Sequence, residues 1–201
     1  MASTLQKFEC PQTVEDLAAI KKYFYANGFV IVKNLIPVAT RKEAEVELNI
    51  LVENEAKKLQ DAGKLTANYK EEPFDKRLAK LYKGKETEAP KLFRKELHIA
   101  GMYNMFFCPN ILNVIEHMLE TKEIRLYPNY TCRPKLPRFK QHEVLWHQDA
   151  GYTKSVKWHA NKERTKEEIE EHTKSLVNCW TPMVTANKLS GCMQFVPKSH
   201  L

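Results

Sequence analysis

The texture of the chain changes near residue 123, and few folds accept that change. Before it, apolar residues recur at helical spacing. After it, short β-branched and aromatic runs are broken by Pro, Gly, Lys and Asn. This order predicts an α+β domain, with a helical lead-in over residues 1–122 and a β-core over 123–201. A length of 201 residues suits one domain.

The lead-in carries local helix signals. Thr13 reads as an N-cap, Glu15 and Asp16 fill the first turn, and Leu17, Ile20 and Phe24 form a stripe that Gly28 closes. "FVIVKNLI" reads as a strand ended by Pro37. A long helix is predicted from Ala39 to Ala62, with Leu48, Leu51, Val52 and Leu59 buried and Gly63 as its stop. A short helix is expected around "FDKRLAKLY". "LFRKELHIAGMYNMFFC" reads as helical in its first part, and "PNILNVIEHMLE" as a helix starting near Pro109.

The β-core offers "IRLYPNYTCRP", "EVLWHQD", "LVNCWTPMV" and "CMQFVP" as strand-like runs, with a charged insertion over about 153–175 that is helical or mobile. Four strands can make a sheet, but one face and two edges would need cover.

Composition removes several classes. No apolar run approaches a membrane span, and the first residues lack a secretory pattern. Five scattered cysteines with no C-x-x-C argue against a disulfide framework or a cysteine zinc site, so we expect an intracellular, cytoplasmic protein. The net charge of +7 arises from lysines mixed with glutamates, the pattern of solvated helix faces and not of a nucleic-acid surface. The expected partner is a small molecule. Neither nucleic acid nor membrane is expected, and the oligomeric state is unspecified.

"VLWHQDAGY" brings in chemistry. On a strand, His147 and Asp149 would project from one face. An imidazole and a carboxylate suit a divalent transition metal, as in the 2-His-1-carboxylate triad of non-haem Fe(II) oxygenases. The ordinary alternative is a hydrogen-bonded polar pair at a strand end. Gln148, the spacer, should point away. His98 and His117 read as helical, His142 has the wrong parity to join His147, and His159 and His172 fall in the insertion.

A wider pattern decides between these readings. Trp146-His147-Gln148-Asp149, then Trp180, then Ser190-Gly191-Cys192 through Pro197-Lys198-Ser199-His200 resemble the phytanoyl-CoA dioxygenase (PhyH) family of Fe(II)/2-oxoglutarate-dependent oxygenases. The resemblance implies a double-stranded β-helix, or jelly roll, with the helical half packed on it. It implies Fe(II) held by His147 and Asp149, which would be the catalytic pair. It implies 2-oxoglutarate as co-substrate, and hydroxylation of an unidentified small-molecule or acyl substrate. By the same resemblance Lys95 would meet the co-substrate's carboxylate and Trp180 would line its pocket; the alternatives are a solvated lysine and plain core packing. In "LYPNYTCRP", either Asn129 and Thr131 or Tyr130 and Cys132 would face inward.

The chain also departs from the pattern. Lys198 stands where the family usually has Gly, and the insertion after Asp149 is long. The family's second iron histidine and its 2-oxoglutarate-binding arginine lie downstream of the Pro-x-Ser-His segment. The expectation is therefore a C-terminally truncated chain with an incomplete jelly roll, inactive as it stands. Related halogenases use two protein ligands but lack the carboxylate that Asp149 supplies. The competing reading is a non-catalytic short isoform or fragment that acts as a binding or regulatory protein. The final Ser-His-Leu fits a peroxisomal tripeptide, which we read as a coincidence of the motif.

Overall fold

The computed structural model describes residues 5–149 and 165–201. Residues 150–152 that follow Asp149, His159 and the first part of the charged insertion lie outside the described residues.

Six α-helices are described: α1 (Val14–Asn27), α2 (Val38–Asp61), α3 (Phe74–Leu81), α4 (Ala100–Phe106), α5 (Pro109–Leu119) and α6 (Lys166–Lys174). Helix α1 starts with a full capping box. Thr13 Oγ1 accepts from the Asp16 amide at 3.1 Å, and Asp16 Oδ2 accepts from the Thr13 amide at 3.0 Å. It ends at Gly28, whose φ of 82° lets its amide reach the Phe24 carbonyl at 2.7 Å. Leu17 and Ile20 bury against Val114 and Met118 of α5.

Helix α2 is the axis of the molecule. Its Ala44, Leu48 and Leu51 pack on Met102 and Met105 of α4 with Phe93 and Leu97. Its Val52, Ala56 and Leu59 pack on Leu78 and Leu81 of α3 with Tyr82, Ala89 and Leu136. Gly101 makes the α2–α4 approach possible: a Cβ there would sit 2.9 Å from backbone atoms of Glu43 and Ala44. Its amide donates to Glu47 Oε2 at 2.5 Å. Buried polar groups are paired across the same region. Glu55 accepts from the Tyr82 hydroxyl at 2.5 Å, and Arg77 holds Glu53 at 2.5 Å and the Asn68 carbonyl.

Three expectations are corrected. The strand at "FVIVKNLI" reduces to one parallel bridge between Phe8 and Val32. In residues 92–108 the helix comes second, as α4, after a single 3-10 turn at Lys95–Leu97; His98 caps that turn and is not helical, whereas His117 lies in α5. The incomplete double-stranded β-helix is not seen: among the described residues, none of the four strand-like runs after residue 123 forms a strand. A strand needs a neighbour for its ladder. Among the described residues, the first run finds a bridge outside the four: Cys132 pairs antiparallel with Phe93, at 2.8 and 3.0 Å. Pro128, Pro134 and Pro137 remove amide donors along the first run and its continuation. Val144, Leu145 and Trp146 of the second run are exposed, so no apolar face of it is covered.

The irregular segments are nonetheless anchored on the helices. Tyr130, Cys132 and Met183 pack against the α2–α4 cluster, which makes Tyr130 and Cys132 the inward pair. Phe195 stacks on Phe29 with centroids 4.5 Å apart. Among the described residues, no helix is long and apolar enough to cross a membrane.

Candidate metal centre

The His147–Asp149 pair is held from three directions. His147 Nδ1 lies 2.6 Å from the Leu145 carbonyl oxygen. A carbonyl only accepts, so Nδ1 carries the proton. His147 Nε2 then faces Asp149 Oδ1 at 3.3 Å. That distance is long for an N–H···O bond, which falls at about 2.7–3.2 Å. Two donors each about 2.1 Å from one ion lie about 3.0 Å apart at a right angle and reach this separation at an angle a little over 100°, so the pair admits a shared ion. In the neutral ring, Nε2 presents a lone pair to an anionic oxygen, an arrangement that a cation relieves. In the charged ring the two form an ion pair. The donor set, with the His147 ring held by the Leu145 carbonyl, fits a divalent transition metal.

The other carboxylate oxygen is occupied. Asn178 Nδ2 donates to Asp149 Oδ2 at 2.7 Å. The sequence reading passed over Asn178; its one signal was alternation, since it stands two residues before Trp180. Gln148, the spacer, donates to the Ser199 carbonyl at 2.6 Å and so joins the His-x-Asp segment to the Pro-Lys-Ser-His turn. That turn docks on the end of α1. The Lys198 amide donates to the Asn27 carbonyl at 3.0 Å, and His200 Nε2 donates to the Tyr25 carbonyl at 2.9 Å. His200 is thus a cap on the end of α1.

The remaining sequence-derived residues are not drawn into one constellation. Trp180 is half exposed and follows Asn178 on the same segment. Lys95 is exposed on the 3-10 turn at Lys95–Leu97. That turn borders a cleft of about 400 Å³ lined by Leu97, His98, Tyr103, Phe106, Leu126 and Tyr130. His142 is buried away from solvent in a 3-10 turn, edge-on to Phe139, and neither ring nitrogen has a hydrogen-bond partner. Among the described residues, no three His, Cys, Asp or Glu side chains gather as a metal site. Among the described residues the candidate donors are His147 and Asp149.

Comparison with known proteins agrees with the motifs. No curated protein and no solved structure matches the chain. A model of the family described as phytanoyl-CoA dioxygenase (PhyH), a family of oxygenases, matches residues 24–201. That match runs from the last turn of α1 through the Pro-Lys-Ser-His turn and includes both His147 and Asp149, so the chain belongs to the phytanoyl-CoA dioxygenase family.

Proposed function

We propose that this protein is an Fe(II)/2-oxoglutarate-dependent dioxygenase that hydroxylates a small-molecule or acyl substrate, with His147 and Asp149 as its protein donors to iron. One observation carries the reading: His147 Nδ1 is tied to a backbone carbonyl while Nε2 faces Asp149 Oδ1 at 3.3 Å. Bound iron with 2-oxoglutarate would supply the activation of dioxygen. The residues of the chain do the rest. The Leu145 carbonyl fixes the tautomer and plane of the His147 ring. Asp149 supplies the anionic oxygen that makes the pair selective for a cation. Lys95, exposed on the 3-10 turn at Lys95–Leu97, would offer a positive charge to the co-substrate's carboxylate, and Trp180 would offer an apolar wall.

Anaerobic addition of Fe(II) and 2-oxoglutarate tests the reading. The weak visible charge-transfer band of an Fe(II)–2-oxo acid chelate should appear, and admission of oxygen should yield succinate, against the inactivity that the motif pattern alone leads one to expect. His147→Ala and Asp149→Ala should each abolish both signals. Succinate production undiminished in either variant refutes the assignment. Lys95→Gln should raise the KM for 2-oxoglutarate and change kcat little, since it removes ground-state binding.

The absence of a third protein donor among the described residues favours a second reading, a non-catalytic protein that binds or regulates. The same experiment separates the two: a chelate band without succinate supports the second.

A further inference from the structure

We infer that Asn178 is a positioning residue that holds Asp149 as a one-oxygen donor. The inference rests on the reading of His147 and Asp149 as metal donors.

A carboxylate on a flexible stem can meet an ion through one oxygen or two. Asp149 sits on an exposed segment, where no packing selects between these modes. What selects is a hydrogen bond from 29 residues away: Asn178 Nδ2 donates to Oδ2 at 2.7 Å. The amide orientation is dictated, because its oxygen turned to the carboxylate would set two acceptors face to face. With Oδ2 engaged, Oδ1 is the oxygen that faces His147 Nε2, at 3.3 Å. The two donors are therefore arranged before any ion arrives. The segment after α6 that brings Asn178 to the site also carries Trp180. The placement of that segment, and not the His-x-Asp spacing alone, sets the donor geometry.

Removing the amide has two expected effects. The carboxylate gains freedom that metal binding must then remove, and Oδ2 becomes available to the ion. Loss of an orienting partner of this kind typically weakens metal binding by about 10-fold to 100-fold. Asn178 is exposed, so its truncation should leave the metal-free fold within about 0.5 kcal/mol of wild type.

The experiment uses the 201-residue chain, with Mn(II) titrated by electron paramagnetic resonance and Co(II) followed by its visible bands. Wild type, His147→Ala and Asn178→Ala are compared, and the thermal midpoint of each metal-free protein is recorded. The expected result has three parts. His147→Ala loses Mn(II) binding. Asn178→Ala binds about ten-fold more weakly with an unchanged midpoint. The Co(II) band intensity of Asn178→Ala departs from wild type, because the carboxylate now binds through both oxygens. Suppose His147→Ala loses binding while Asn178→Ala matches wild type in affinity and Co(II) spectrum. Then Asn178 does not position Asp149, and the donor reading survives. Equal Mn(II) binding by wild type and His147→Ala overturns the donor reading and this inference with it.

Discussion

Lys198 carries its backbone at φ 65°, a left-handed conformation that costs an L side chain roughly 1–2 kcal/mol. Its amide caps Asn27 at 3.0 Å, so the turn cannot relax without releasing the end of α1. Glycine, the residue usual at this place in the family pattern, adopts the angle without that cost. Lys198→Gly should therefore raise stability by roughly 0.5–1 kcal/mol after its own entropy cost, and lift the thermal midpoint by about 1–4 °C. A lowered midpoint in a thermal scan would show that the lysine side chain contributes more than the backbone angle costs. His142 is a second strained position. It is 8% exposed, with no partner for either ring nitrogen. Burial first, then the charge of Lys135, hold its imidazole below the ordinary 6.5. The unfolded chain takes up a proton near pH 6.5 that the folded chain resists. The stability linked to His142 is thus full above that pH and is lost as pH falls toward the folded pKa. His142→Phe removes the proton site and the unpartnered nitrogens while keeping a ring beside Phe139. In urea melts, its advantage over wild type should grow between pH 7 and pH 5. A constant difference across that range would show that His142 is protonated equally in both states.

Two glycines set how the elements meet. Gly101 sits in the first turn of α4, where a methyl would meet Glu43 and Ala44 backbone at 2.9 Å. Backbone cannot rotate aside, so Gly101→Ala must push α4 off α2, at a cost of about 1–3 kcal/mol. At Gly28, φ is 82° and a methyl would lie 2.6 Å from His200 Nδ1. Gly28→Ala therefore combines left-handed strain with expulsion of the His200 ring from Tyr25, for roughly 2 kcal/mol. Denaturant midpoints check both, and neither change should lower stability by less than Lys198→Gly raises it. These contacts mark what the sequence could and could not disclose. Helices α1, α2, α3 and α5 were legible because Thr13, Pro109, Gly28 and Gly63 are local signals and the apolar stripe of α2 is long. The α4 segment was misplaced because Gly101 reads as a helix breaker, and only the close pass of α2 explains a glycine inside a helix. The strands were expected from composition, yet a strand exists only with a partner, and composition does not supply one. At the candidate site, the spacing of His147 and Asp149 disclosed that the two side chains could meet, as they do at 3.3 Å, whereas the motif that named Trp180 did not place it. Asn178 was not, since its partner is 29 residues distant along the chain.

Across the whole molecule, stability is unevenly distributed. Every buried hydrophobic side chain among the described residues lies between Leu17 and Leu136. The segments that bear the candidate site follow, with Trp146 70% and Trp180 50% exposed. They are tied to the helices by a few contacts: Phe195 on Phe29, Lys198 and His200 on the end of α1, and Val177 against the α1–α5 cluster. Regions with few buried contacts open at lower free energy than the core. The sequence places probes on either side of this divide. The three tryptophans stand at 146, 158 and 180, while five of the six described helices end by Leu119. Urea unfolding followed by tryptophan fluorescence should therefore precede unfolding followed by far-ultraviolet circular dichroism, and the two curves should not coincide. Metal should act on the first curve alone. An ion that binds His147 and Asp149 in the ordered segment stabilises it by about 1.4 kcal/mol at a free concentration ten times its Kd. Mn(II) should shift the fluorescence transition to higher urea and leave the dichroism transition in place, and in His147→Ala it should shift neither. Coincident curves would mean that the contacts with α1 bind the site segments to the helical core as one cooperative unit. In that case Mn(II) would shift both probes together.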